Sequence, residues 1–188
     1  MVATLSKMTP LGALAPGFNL PDTEGKIVSI DDFRKSKALL VIFMCNHCPF
    51  VRHVLRALVK LAAEYQAKDV AVVGISSNDI EDYPEDNPEM MGKLVTEAQI
   101  TFPYLFDEDQ SVAKAYMAAC TPDFFLFDEN RRLVYRGQMD DSRPGNNIPV
   151  TGKDLRLALD AVLAGKKVSS IQKPSMGCSI KWKPGSQA

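Results

Sequence analysis

The stretch Leu39-Leu40-Val41-Ile42-Phe43-Met44-Cys45-Asn46-His47-Cys48-Pro49-Phe50-Val51 decides how this chain is read. From Ala38 to Phe43 it is apolar without alternation, the pattern of a central parallel strand buried on both faces. Pro49 suits the first turn of a helix, where its missing N–H has no intrahelical partner to lose. Apolar residues then recur at Val51, Val54, Leu55, Leu58, Leu61, Ala62 and Tyr65, one face of a helix. Val70 to Ile75 is a second buried strand, so the segment predicts a βαβ unit with parallel strands.

Cys45 and Cys48 sit where that strand meets its helix. Two thiols separated by two residues can close a small disulfide ring or grip a metal. At such a junction the unpaired N–H groups and the helix dipole favour a thiolate over the free thiol, whose pKa is ~8.5. The spacing predicts Cys45 as the attacking thiol and Cys48 as the resolving one. His47 between them stabilises a thiolate when protonated, which makes the pair more oxidising. A competing reading has Cys45, His47 and Cys48 bind Zn²⁺ or Cu⁺, with Cys178, Cys120 or Met44 as a further ligand. A second ligand pair, usual in a structural zinc site, is missing.

Working outward, 188 residues suffice for one domain with a full core. A net charge of −1 offers no basic surface for nucleic acid or an anionic membrane. The longest apolar runs fall far short of the roughly 20 residues that span a bilayer. Pro10 and Pro16 break up the N-terminal segment, which makes a poor signal peptide and predicts a cytoplasmic location. In a reducing cytosol four cysteines are expected to be catalytic, metal-bound or free rather than structural bridges.

Phe18 to Leu20 and Ile27-Val28 read as short strands around the turn Glu24-Gly25, and Ser29 as the cap of a short helix through Arg34. Asp79 to Glu89 holds six acids and no base, and is expected to be a solvated loop. Helices are expected over 89–98 and 110–117, and a β-hairpin over 123–136. A loop should follow from Gln138 to Val150, then a closing helix capped by Thr151 and ending before Gly165. These assignments put a domain at residues 1–165 and a C-terminal tail that packs on it at 166–188. Arg52 could supply a cation one helical turn after Cys48, although a solvated helix charge is the simpler reading, and His53 reads as a helix-surface residue without a role.

These residues resemble the thioredoxin-like superfamily, in its peroxiredoxin-like (AhpC/TSA-type) branch. The resemblance covers roughly residues 12 to 165. It rests on the opening Ala15-Pro16-Gly17-Phe18-Asn19-Leu20-Pro21-Asp22, the strand ending in Cys45-x-x-Cys48-Pro49, Thr121-Pro122 before the strand Asp123–Phe127, and Tyr135-Arg136-Gly137. It implies an α/β thioredoxin-like fold, with a mixed sheet of four or five strands flanked by helices, an N-terminal extension and a C-terminal tail. It also implies that Pro122 is a cis-proline facing the dithiol and that Thr121 offers its backbone to an incoming peptide or thiol. Cys120 would then lie near the site, where a plain buried thiol is the simpler reading than a third redox thiol.

The peroxidase pattern of the family, Pro-x-x-x-Thr-x-x-Cys, places Cys48 at the peroxidatic position but has Val41 and Cys45 where Pro and Thr belong. The position of the later arginine that polarises peroxide falls near Pro122, where no arginine stands, so three features of the peroxide pocket are absent. Placed donors for developing charge are what peroxide cleavage needs, so dithiol–disulfide exchange ranks above a thiol peroxidase. The tail segment Gly177-Cys178-Ser179-Ile180-Lys181-Trp182-Lys183 is similar to the ends of a peroxiredoxin-like subgroup. Cys178 would resolve an oxidised Cys45 or Cys48, complete a metal site, pair across a dimer, or simply ride on a tail pinned by Ile180 and Trp182. The activity expected is that of a thiol–disulfide oxidoreductase. No organic cofactor is expected, since no Gly-rich phosphate fingerprint follows any strand. Electrons would come from an external dithiol reductant, and the substrate would be a disulfide in a protein or a low-molecular-weight compound. A monomer or a homodimer is expected.

Overall fold

The structure, a computed structural model, describes residues 3–186. In chain order the strands are β1 (Ala3–Leu5), β2 (Asn19–Pro21), β3 (Ile27–Ser29), β4 (Ala38–Phe43) and β5 (Val70–Ser76). They continue as β6 (Tyr104–Phe106), β7 (Cys120–Thr121), β8 (Asp123–Phe127), β9 (Leu133–Gly137) and β10 (Met176–Ser179). The helices are α1 (Pro49–Gln66), α2 (Pro88–Ala98), α3 (Ser111–Tyr116) and α4 (Lys153–Leu163). Residues 1–2 of the expected N-terminal extension and 187–188 of the expected tail lie outside the described residues.

Five strands form a central mixed sheet in the order β6-β5-β4-β8-β9. β4 and β5 are parallel, as are β5 and β6, while β8 runs antiparallel to β4 and to β9. The unbroken apolar run of β4 follows from this position. Ala38, Leu40 and Ile42 face a core shared with Val51, Leu58 and Leu61 of α1, whereas Leu39, Val41 and Phe43 face a second core shared with Val112 and Tyr116 of α3. Burying each such Leu or Ile contributes about 1.5–3 kcal/mol, so burial on both faces fixes β4 at the centre. This is the thioredoxin-like α/β arrangement the resemblance implies. Among the described residues, no helix is long and apolar enough to cross a membrane.

Three segments differ from their sequence reading. The closing helix α4 is capped not by Thr151 but at Gly152, whose φ of 70° is left-handed. The backbone N–H groups of Thr151 and Gly152 instead donate to Asp140 Oδ2, each at 2.6 Å. A carboxylate from the preceding loop thus holds the entry to the helix, while Thr151 Oγ1 accepts from the N–H of Lys153, the first helical residue, at 3.3 Å. Within the acidic stretch, Pro84–Asp86 is a 3-10 turn, and Asp79 and Asp86 are buried rather than solvated. The tail contributes a strand that its sequence reading did not contain: β10 lies between β1 and β7 in a separate three-stranded antiparallel sheet. Strands of two to four residues are too short to show a period, which is why β1, β7 and β10 escape a reading by pattern.

Candidate active site

Cys48 is the N-cap of α1, and Pro49 opens the helix after it. The free N–H groups of the first turn therefore point towards residue 48, and Cys45 lies a few residues earlier, just past the end of β4. Both thiols are buried, with 1% and 0% exposure for Cys45 and Cys48. The Thr121–Pro122 peptide bond is cis, at the joint between β7 and β8. Thr121 touches both cysteines: its Oγ1 is 3.3 Å from Cys45 Sγ, and its carbonyl oxygen is 3.1 Å from Cys48 Sγ. The residues read from the motif and those implied by the resemblance thus meet across segments 73 to 76 residues apart in sequence.

The two thiols are not equivalent. A hydrogen bond from Cys45 holds the Cys48 thiol down to about 5; burial opposes this, while Cys178, Thr121 and the Val51 backbone N–H add to it. Cys45 is pushed well above the usual thiol range by that same bond to Cys48, by burial and by the Asp86 charge. The two shifts run in opposite directions and favour ionisation of Cys48 over Cys45. The sequence expectation placed Cys45 at the helix N-terminus; Pro49 starts the helix one residue after Cys48, so Cys48 takes that position.

His47 is held by Asp86. Its Nδ1 lies 2.6 Å from Asp86 Oδ2, and the Asp86 carboxylate also accepts from the backbone N–H of Asn46 (2.7 Å) and of His47 (3.2 Å), and from Asn78 Nδ2 (2.7 Å). The bond to Asp86 raises the His47 pKa above its usual value against the effect of burial. Burial drives the Asp86 carboxyl up, but hydrogen bonds from His47 and Asn78 prevail and keep it below the usual carboxylate range. Tyr83 stacks on the imidazole, with ring centres 5.1 Å apart. Asp86 is the site residue that sequence reading missed. It sits among exposed acids, at the end of the 3-10 turn Pro84–Asp86.

Arg52 and His53 are also engaged: Arg52 Nε donates to the Asn46 carbonyl at 2.9 Å, and His53 Nε2 lies 2.6 Å from Ser142 Oγ. Cys178 reaches the site, its Sγ 2.9 Å from Cys48 Sγ. Cys120 faces the other side of β7, as strand neighbours do; its Sγ lies 3.9 Å from the Pro122 carbonyl oxygen, and burial pushes its thiol far up.

Cys45, His47 and Asp86 each bring one donor atom within 4.8 Å of the others, the one group among the described residues with metal-like spacing. Asp86, rather than Cys48, is its third member. At 2.6 Å, however, His47 Nδ1 and Asp86 Oδ2 are bonded to each other. Two ligands of one zinc, each about 2.0–2.2 Å from it in tetrahedral geometry, stand farther apart. The arrangement is a histidine–carboxylate dyad beside a dithiol.

A five-stranded mixed sheet, a Cys-x-x-Cys pair at the head of α1 and a facing cis-proline define a thioredoxin-fold dithiol protein, and solved thioredoxin-domain structures share the fold. Residues 11–136 match the AhpC/TSA family, and the chain belongs to that family. It is similar to the peroxiredoxin Bcp of Escherichia coli K12, 29% identical over 111 residues that span 58% of this chain and 66% of that protein. It is also similar to the thiol–disulfide oxidoreductase ResA of Geobacillus thermodenitrificans, 27% identical over 123 residues, 65% of this chain and 66% of that one. The match thus spans just under two thirds of each of these relatives. A solved structure of an uncharacterized conserved protein from Geobacillus kaustophilus is 56% identical, with a TM-score of 0.96 over 98% of both chains.

Proposed function

We propose that the chain is a thiol–disulfide oxidoreductase that works through Cys45 and Cys48, with Cys48 as the nucleophile. The observation that carries this reading is the placement of Cys48 at the N-cap of α1, within 3.1 Å of the cis-proline loop. In the forward step the Cys48 thiolate attacks one sulfur of a substrate disulfide, a mixed disulfide forms, and the substrate's other sulfur leaves as thiolate. Cys45 then gives up its proton and attacks Cys48 Sγ. The Cys45–Cys48 disulfide forms and the second substrate thiolate leaves, so two electrons have passed to the substrate. His47, polarised by Asp86, is the positive group beside the thiolate and favours the reduced state. Thr121 aligns the incoming sulfur through its backbone. The similarity to a thiol–disulfide oxidoreductase supports this assignment.

The substrate is a disulfide of a protein or a small compound, and an external dithiol reductase returns the electrons with no organic cofactor. A reducing cytoplasm suits that regeneration. The similarity to a peroxiredoxin favours a second reading, in which Cys48 cleaves a peroxide and passes through a sulfenic acid. Reduction of a model disulfide by the dithiothreitol-reduced protein tests the first reading. Rapid turnover with no trappable sulfenic acid supports it. A sulfenic acid on Cys48 with fast peroxide consumption and no disulfide turnover would replace it with the second.

A further inference from the structure

The tail is fitted to the cis-proline loop more closely than a cover requires. β10 pairs antiparallel with β7, aligning Cys178 with Thr121 and Ser179 with Cys120. Gly177 lies so close to the loop that a Cβ there would stand 1.9 Å from the Thr121 carbonyl oxygen. Ser175 Oγ donates to the Pro122 carbonyl at 2.5 Å. Upstream, the tail backbone crosses Gly137, where a Cβ would meet the Lys173 carbonyl oxygen at 2.0 Å. Downstream, Lys181 is fixed on both sides: its N–H donates to Asn78 Oδ1 at 2.8 Å, and its carbonyl accepts from Gln110 Nε2 and the Asp79 N–H, each at 2.8 Å. Two close approaches and a run of backbone bonds thus set one side chain, Cys178, against one sulfur, Cys48, at 2.9 Å. A disulfide bond is about 2.05 Å long, so closure needs a shift of under about 1 Å.

β10 is the middle strand of its sheet, and β7 at the sheet's end pairs with it there. An extended substrate strand that binds along Thr121 needs the same backbone groups of β7, in the manner of strand addition. With β10 in place, Cys48 is fully buried. An incoming disulfide and β10 therefore compete for one seat.

We propose that Cys178 is a third redox thiol of this site, delivered by β10 to close a Cys48–Cys178 disulfide as β10 displaces the substrate strand. This rests on the dithiol reading above and deepens it. The substrate strand first takes the β10 position, and Cys48 forms the mixed disulfide. When β10 returns, Cys178 loses its proton and its sulfur attacks Cys48 Sγ. The Cys48–substrate bond breaks, and the substrate leaves as a thiolate that takes up a proton. Two electrons have passed from Cys48 and Cys178 to the substrate disulfide. Attack of Cys45 on Cys48 Sγ then moves the bond to Cys45–Cys48 and releases Cys178 as a thiol. The substrate class this seat fits is a disulfide carried on an extended peptide segment.

The test uses full-length Cys45→Ser protein, reduced and then exposed to oxidised glutathione, with disulfides mapped by peptide digestion and mass spectrometry. The proposal expects loss of two hydrogens and a Cys48–Cys178 linked peptide, with no lasting glutathione adduct. A persistent adduct on Cys48 with Cys178 unlinked would overturn it. In Cys178→Ser protein the dithiol reading still requires a Cys45–Cys48 link. If that link forms while Cys45→Ser yields no Cys48–Cys178 link, only the present proposal falls. If neither link forms, the dithiol reading falls with it. Gly177→Ala keeps all three thiols but crowds the Thr121 carbonyl. It should slow closure of the Cys48–Cys178 link by about tenfold, whereas an unchanged rate would show that β10 does not deliver Cys178.

Discussion

The β4–α1 junction and strand β10 approach Cys48 from opposite ends of the chain and are held there by different interactions. At the junction the work is done by charge and dipole: a helix N-terminus, a buried carboxylate and an imidazole bonded to it at 2.6 Å. At β10 it is done by backbone pairing and by the absence of a side chain at Gly177. The junction sets which sulfur is reactive. The tail sets what that sulfur can meet. A chemical signature is compact in sequence, whereas a seat built from backbone contacts is not.

The sharpest way to break this comparison is to remove the sulfur both regions share. Cys48→Ser should reduce turnover of a model disulfide to the uncatalysed background, measured with dithiothreitol as reductant. Retained turnover would mean that Cys45 is the nucleophile and that the junction's polarity has been misread. Next in size is the buried carboxylate. Asp86→Ala strands His47 and the Asn46 and His47 N–H groups, and should lower unfolding stability by about 3 kcal/mol in urea. A loss below about 1 kcal/mol would show that the dyad is not the anchor of the junction.

The same dyad has a pH signature. His47 is raised, so its contribution is complete below its ordinary value of ~6.5 and is lost as pH rises through the folded value. Asp86 is lowered, so its contribution is present above ~3.9 and is lost as pH falls through the folded value. The stability difference between wild type and Asp86→Asn should therefore peak between about pH 4 and 6.5 and shrink towards alkaline pH. A flat difference would sever the link between His47 and Asp86. Smaller again, His47→Ala should make the dithiol less oxidising by about 30 mV in a glutathione titration. An unchanged potential would leave His47 as a packing residue under Tyr83.

How much of this was legible follows the same division. The β4 run and the α1 stripe were readable because both faces of β4 and one face of α1 are apolar at fixed periods, and the Cys-x-x-Cys pair stands at their joint. The residue that caps α1 was misplaced by the sequence reading, a matter of a few positions: it is Cys48 and not Cys45. Asp86 was hidden by its company: four of the six acids between 79 and 89 are exposed, and composition cannot single out the buried ones. The pairing of Cys178 with Thr121 joins residues 57 positions apart through a two-residue strand, which leaves no period to detect. The cis-proline and its partner Thr121 came from the family resemblance alone.

The central claim, that Cys48 is the thiolate of a redox dithiol, is tested most directly by titrating the thiolate ultraviolet absorbance of the reduced protein from acid to neutral pH, alongside Cys48→Ser. The account predicts one thiolate with a midpoint near pH 5, absent from Cys48→Ser, with Cys45 remaining protonated beyond the ordinary thiol range. A midpoint near 8.5, the value of an unperturbed thiol, or an acidic transition that survives Cys48→Ser would contradict it.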